Sequence, residues 1–346
     1  MELKRPMKKY STGNETLDKK IADLVAEFSN GDNDDFVREI IISGFRFLNG
    51  GFPRLDVKIM NSSLKEIYRA FSMFGKYKGI KKVSVFGSAR TPREDPDYKT
   101  AVEFGKKIAD AGYMVITGAG YGIMQAANEG AGIEKSFGVS IRLPFEYEPN
   151  PFIAKERLII FKYFFTRKLS FAKETDAIVL FPGGVGTIDE GFELLTLLQT
   201  GKSNPLPVVM IEAEGGTYWK SLEVFMREQM LAKNLISKDD FSFFKICRTA
   251  DDAVREINTF YNNYHSLRFV GDMLAVRMKR QIPKDAVDRL NENFKDIITK
   301  GNFEISAALS EELEEKDIVS LPRLVFNFDR KKYGRLRMLI DEVNRY

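Results

Sequence analysis

Cysteine and histidine are nearly missing: 346 residues hold one of each, Cys247 and His265. A single thiol excludes an internal disulfide and a cysteine-rich zinc site, and a single imidazole excludes a histidine-cluster metal site and argues against a Ser-His-Asp triad. A surplus of either charge is missing too. Lys plus Arg number 53 against 49 for Asp plus Glu, which makes no electrostatic case for nucleic acid. No apolar stretch reaches membrane-spanning length, and no apolar signal segment follows the basic opening "MELKRPMKKYSTGNETLDKK", so no membrane and a reduced, cytoplasmic setting are expected. What remains is ordinary globular composition, 44% hydrophobic and 29% charged, in a chain long enough for one large domain with additions. A small ligand is then the partner to look for.

The chain divides into three zones. Residues 1–81 form an N-terminal helical extension. Its opening twenty residues are polar and expected to be disordered. "DDFVREIIISGFRFLNGG" reads as a helix started at Asp34 or Asp35 and stopped by Gly50 and Gly51, and "SSLKEIYRAFSMFGKY" as a second helix. The acids of "GDNDDF" lack calcium-loop spacing and read as a helix start. In residues 82–248 short apolar runs alternate with helical periods: "VSVF", "YMVIT", "FGVSI", "RLIIF", "AIVLF" and "PVVMI". Strands without polar alternation, separated by helices, indicate a doubly wound, Rossmann-like parallel α/β sheet covered on both faces. Residues 249–346 read as a mainly helical extension with one strand-like run, "RLVFNFD". Its densest basic cluster, "RKKYGRLR", reads as a solvated turn and helix face, with a phosphate-bearing effector or a neighbouring subunit as the alternative.

Parallel sheets bind ligands beyond the carboxyl ends of their strands. Three glycine-rich loops fall there, "FGSAR", "TGAGYGIM" and "PGGVGT". "GAGYG" is not the dinucleotide fingerprint, and no acid follows at about twenty residues to hold a ribose diol, so a nicotinamide oxidoreductase is disfavoured. "GGVGT" lacks the lysine and spacing of a P-loop, which disfavours triphosphate chemistry. In "PGGVGTIDE", Gly183, Gly184 and Gly186 are expected to form the turn, with Thr187 at the helix start and Glu190 one helical turn later on the same side. Thr-x-x-Glu is also the signature of a capping box, in which Glu190 merely returns to the backbone. Both readings stand on these residues alone.

The same stretch resembles the P-G-G-x-G-T-x-x-E motif of the LOG ("lonely guy") family in its longer bacterial form, phosphoribohydrolases often labelled lysine decarboxylases. "FGSAR", "TGAGYGIMQAAN" and "TRKLSF" resemble further stretches of that family, in order and spacing. Ala119 stands where the family has the middle glycine of its second loop, and Phe165 where many members have histidine. The resemblance implies hydrolysis of the N-glycosidic bond of nucleoside 5'-monophosphates, AMP or a cytokinin riboside 5'-monophosphate, to free base and ribose 5-phosphate. It implies Arg167 and Glu190 as the catalytic pair. The substrate-binding residues it implies lie in three groups: Gly87 and Ser88; Gly118, Gly120, Gly122 and Met124; and Lys168 with Gly183, Gly184, Gly186 and Thr187. No metal or organic cofactor is implied, and a homodimer or larger even-numbered homo-oligomer is. The alternative is a nucleotide-sensing module that binds without cleaving.

Overall fold

The computed structural model describes residues 10–29, 31–143 and 148–346. Two compact units are present, one ending at Ile67 and one running from Tyr68 to Tyr346. The first holds α1 (Glu15–Glu27), α2 (Asp34–Asn49) and most of α3 (Arg54–Gly75). Part of the opening stretch expected to be disordered is therefore helix. Asn14 starts α1 by accepting from the Leu17 N–H through its side chain, a local cap that outweighs the polarity of the segment. Residues 1–9 of that stretch lie outside the described residues. The second helix of the extension is longer than its apolar period, beginning at Arg54 just after Pro53. The division falls inside α3, because its last turns carry Ala70, Met73 and Phe74 into the core of the second unit.

A seven-stranded parallel sheet organises that unit. Its strands are β1 (Lys82–Phe86), β2 (Met114–Thr117), β3 (Ser136–Ile141), β4 (Leu158–Phe161), β5 (Ala177–Leu180), β6 (Val208–Ile211) and β7 (Phe244–Cys247), in the order β4-β3-β2-β1-β5-β6-β7. Helices α4 (Pro96–Asp110), α5 (Ile123–Ala131), α6 (Phe164–Glu174), α7 (Val185–Gln199), α8 (Tyr218–Phe225) and α9 (Ala250–Phe260) alternate with the strands. Val83 and Val85 pack on one face with α4, α5 and α9; Phe86 packs on the other with Phe171 of α6 and Leu194 of α7. Each such buried side chain contributes about 1.5–3 kcal/mol, so the apolar runs fix the doubly wound arrangement. The order reverses between β1 and β5, and parallel pairing there joins Val83 to Ala177 through Phe86 to Leu180. That reversal sets the loops after β1 and β5 side by side.

The C-terminal zone differs from the mainly helical expectation. Besides α9, α10 (Lys284–Asn293) and α11 (Tyr333–Val343), it holds an antiparallel sheet of β8 (Tyr264–Val270), β9 (Met273–Met278), β10 (Ile298–Ser306) and β11 (Arg323–Phe328), in the order β10-β11-β9-β8. Of these only β11 is an isolated strand-like run. The edge strand β10 carries Thr299, Lys300, Asn302 and Glu304, with register shifts along its pairing, so it gives little apolar signal. The basic cluster is tied down inside this zone: Arg330 donates to the Gly271 carbonyl, Arg335 pairs with Asp296, and Arg337 pairs with Glu256 and Asp341. Among the described residues no helix is long and apolar enough to cross a membrane, and no group of three or more His, Cys, Asp or Glu is placed to hold a metal ion.

Candidate active site

Three loops leave the carboxyl ends of β1, β2 and β5, and backbone hydrogen bonds fasten them into one surface. The Ser88 N–H donates to the Pro182 carbonyl at 3.1 Å, and the Ile123 N–H donates to the Ser88 carbonyl at 3.0 Å. The loops approach so closely that side chains are excluded. At Gly122, φ is +60° and a Cβ would lie 2.2 Å from the Ser88 carbonyl oxygen. At Gly183 a Cβ would lie 2.2 Å from Thr187 Oγ1 and 2.9 Å from Ser88 N. Glycine is required at both by space, and at Gly122 by backbone angle as well. Gly87 faces Ile123, while Gly118 and Gly120 lie under Met124, whose thioether folds back over the second loop.

Helix α7 begins at Val185 with Gly184 at its N-cap, two residues earlier than the sequence pattern suggests. Gly186 is therefore helical rather than part of the turn, and Thr187 is the third helical residue. This removes the capping-box reading: Thr187 is not the N-cap, and the Thr187 and Ile188 N–H groups both return to the Gly184 carbonyl. Helix geometry leaves the N–H groups of Val185 and Gly186 without intrahelical partners, at the positive end of the helix dipole. Nothing lies within 4 Å of the Cβ positions of Gly184 or Gly186, so the space beside them is open. Thr187 is buried, its hydroxyl against Gly183, and supports the loop from below.

Two carbonyls of this loop are pinned from outside. Pro182 O accepts from Ser88 N–H, and Gly183 O accepts from the Tyr218 hydroxyl at 2.6 Å. In a trans peptide the N–H of the next residue points opposite to the carbonyl, so fixing these two oxygens fixes the amide directions of Gly183 and Gly184. Tyr218 is held in turn. Its N–H donates to Glu212 Oε2 at 2.7 Å, and the buried Glu212 pairs through Oε1 with Arg248 at 2.8 Å. A second support lies behind the middle loop: Asn150 Nδ2 donates to the Gly120 carbonyl, Asn150 N–H to the Ala119 carbonyl, and Thr117 Oγ1 to Asn128 Oδ1. None of Tyr218, Glu212, Arg248 or Asn150 is marked by a motif, and Asn128 closes "TGAGYGIMQAAN" without standing out as a support. For Tyr218 the available signal was its place after the sixth strand, where the next carboxyl-end loop must fall.

Helix α6 delivers the charges. Arg167 Nε donates to the Val139 carbonyl at 2.9 Å, and Nη1 reaches Glu190 Oε1 at 3.2 Å. Its guanidinium lies over the Phe171 ring and beside Gly118. The neighbouring Lys168 Nζ sits 3.5 Å from Glu190 Oε2, 2.9 Å from Asp189 and 2.5 Å from Glu193. Glu190 is thus held between two cations, with side chains only 9% exposed for Glu190 and 11% for Arg167. Burial raises the Glu190 pKa above its ordinary value, and Arg167 and Lys168 pull it back down. Burial likewise lowers Arg167, against the carboxylates of Glu190 and Asp189. For Lys168 burial acts downward, but Glu193, Asp189 and Glu190 outweigh it and the pKa rises. The arrangement is a desolvated carboxylate with paired oxygens, one turn from a helix start with free amides. It can face a developing positive charge while an anion rests on the amides.

The two departures from the family pattern sit differently. Ala119 adopts a left-handed backbone, φ +66°, a conformation that favours glycine. Its methyl is accommodated because Gly138 of β3 has no side chain: a Cβ there would lie 3.0 Å from the Ala119 methyl. Phe165 is exposed and stacks on Tyr163, with ring centroids 5.4 Å apart.

Residues 122–257 match the family described as "Possible lysine decarboxylase". That span includes Met124, Arg167, Lys168, the "PGGVGT" loop and Glu190, and excludes the first loop. Over 99 residues the chain is 30% identical to the "Probable cytokinin riboside 5'-monophosphate phosphoribohydrolase LOGL3" of Oryza sativa subsp. japonica, 29% of this chain and 44% of that protein. The chain therefore spans less than half the length of this curated relative. Among solved structures, it is similar to the molybdenum cofactor binding protein of Rippkaea orientalis at 21% identity, covering 52% of this chain and 95% of that one, TM-score 0.38. It is also similar to the Moco carrier protein of Chlamydomonas reinhardtii at 19% identity, covering 52% and 96%, TM-score 0.37. The LOG resemblance drawn from the motifs is borne out over the matched segment.

Proposed function

From that LOG resemblance as premise, we propose that the protein hydrolyses the N-glycosidic bond of nucleoside 5'-monophosphates, AMP or a cytokinin riboside 5'-monophosphate. The observation that carries this reading is Glu190, buried between Arg167 and Lys168 one turn beyond the open start of α7. The 5'-phosphate rests on the amides of Gly184, Val185 and Gly186, where backbone donors and the helix dipole favour an anion. Arg167 holds ribose or phosphate oxygens. As the bond from C1' to the base lengthens, positive charge builds on the ribose ring, and the Glu190 carboxylate offsets it. A water oxygen then bonds to C1' and gives its proton to Glu190, while the base leaves with the bonding electron pair and takes up a proton.

The exposed Phe164, Phe165 and Leu169 of α6 lie on the helix that carries Arg167, and support a homodimer or larger even-numbered oligomer. Incubation with a panel of nucleoside 5'-monophosphates, nucleosides and triphosphates, followed by chromatography for free base and ribose 5-phosphate, tests the activity. Monophosphates are expected to be cleaved far faster than nucleosides, because the phosphate cradle supplies binding that holds C1' against the carboxylate. Equal rates on AMP and adenosine contradict the cradle. Binding of AMP with no base released makes the protein a nucleotide-sensing module.

A further inference from the structure

At the opposite end of the parallel sheet, the connections leading into β1, β5 and β6 border a cavity of about 810 Å³. Six lysines line it, Lys78, Lys81, Lys82, Lys173, Lys202 and Lys279, along with His265 from β8. The acids on its wall are Glu174 and Asp176. Helix ends account for part of this imbalance, since α3, α6 and α9 finish here and their last carbonyls favour cations. Lys82 Nζ donates to the carbonyls of Tyr77 and Ile80, Lys279 Nζ donates to that of Tyr261, and Lys173 pairs with Glu174. Asp176 is engaged as well, accepting from the Lys82 N–H at 2.8 Å.

Lys81 is not explained this way. Its ammonium stands over the Tyr261 ring, 3.0 Å from the centroid. Burial lowers its pKa to about 8, with Asp176 pulling upward and Lys279 pushing further down. Burial also lowers Lys279 and His265, and Lys81 and Lys279 add to the effect on His265. Several lysines gathered around one partly enclosed space with two engaged acids leave it short of negative charge. The volume is in the range of small-molecule sites, and Tyr261 and Tyr264 give it an aromatic wall.

We propose that this cavity is a second binding site, for a small phosphorylated metabolite carrying two or more negative charges, held by Lys78, Lys81, Lys202 and Lys279 and packed against Tyr261. The site is separate from the glycine loops and does not depend on their catalytic role. Binding an anion beside Lys81 raises the amine's pKa. The complex therefore takes up a proton near pH 8, and affinity falls as the pH rises above that value.

Inorganic pyrophosphate and ADP are the probes, titrated calorimetrically into the full chain carrying Gly184→Asp, which places a carboxylate in the catalytic cradle and closes it to anions. Saturable binding of both is expected there, and for ADP, which is almost fully ionised at pH 8, proton uptake is seen as a difference between buffers of unlike ionisation enthalpy. Lys81→Met and the exposed Lys202→Met, each added to that variant, are expected to weaken binding about tenfold. Lys202 is exposed, so its replacement leaves the fold intact. No saturable binding by about 10 mM overturns the proposal. Binding that survives both lysine changes, or ADP binding that proceeds without proton uptake, overturns it equally.

Discussion

The two anion sites proposed for the two ends of the parallel sheet are built from different materials. At the carboxyl end the helices begin, their free amides already carry partial positive charge, and glycine suffices to let an anion approach. At the amino end the helices finish, their carbonyls are negative, and positive potential has to be built from lysine side chains. Strand direction alone thus decides which residue type can serve an anion at each end. The first kind of site is short-ranged and fixed by backbone geometry. The second is held by long, mobile ammonium groups and is the more sensitive to salt.

The largest expected effect breaks the proposed catalytic end without touching its cradle. Glu190→Gln keeps the shape but removes the charge, and turnover on AMP is expected to fall by roughly a hundredfold or more while AMP binding persists. Because burial raises the Glu190 pKa, the same loss is expected on acidification of the native protein. The carboxylate is active above its pKa, so single-turnover base release falls as the pH drops through a value above the ordinary one. A rate flat down to that ordinary value removes Glu190 from the chemistry.

The next effect breaks the cradle and spares the carboxylate. Gly183→Ala forces a methyl onto Thr187 and the Ser88 amide. It is expected to cost about 1–3 kcal/mol of stability, read in urea unfolding, and to abolish detectable AMP binding. Unchanged AMP affinity in this variant places the phosphate elsewhere. Tyr218→Phe acts on the same loop more gently. It removes one hydrogen bond worth about 0.5–1.5 kcal/mol, so AMP affinity is expected to fall roughly three- to tenfold. Its effect belongs in KM rather than kcat. A loss confined to kcat shows that Tyr218 serves the reaction and not the loop.

The smallest effect is at Ala119. Glycine there relieves a left-handed backbone, worth about 1–2 kcal/mol, but gives up a buried methyl and adds chain entropy to the unfolded state. Ala119→Gly is expected to shift stability by less than about 1 kcal/mol. A loss well beyond that shows that the contact with Gly138 sets the shape of the second loop.

How much of this was legible depended on sequence distance. The strands β1 to β6 show as apolar runs, whereas Arg167 and Glu190 are implied as a pair only by the LOG resemblance, since no local spacing joins them. The start of α7 was misplaced, because Thr-x-x-Glu fits a cap as well as it fits an interior turn. Only the observed Gly184 cap and the partners of Glu190 separate the two. The hairpin of β8 and β9 was missed although Gly271 and Asp272 form a two-residue turn of the expected kind. Both faces of β9 are buried, so polar alternation is lost there. Tyr218 has only its place after the sixth strand to mark it, because its contact with Gly183 spans 35 residues and follows from strand order.

That hydrogen bond bears on protein design. Nine residues, "PGGVGTIDE", look like a portable phosphate-binding cassette. A designer who grafts them onto another strand–helix joint transfers the glycines and the helix start but leaves behind the phenol that sets the Gly183 carbonyl, and Glu212 and Arg248 that hold the phenol in place. The transplanted loop is free to rotate its peptide planes, and its amides no longer converge. The smallest portable unit is two consecutive strand–helix modules, from β5 through α8, together with the arginine that follows β7 and the β1 loop whose Ser88 N–H holds the Pro182 carbonyl.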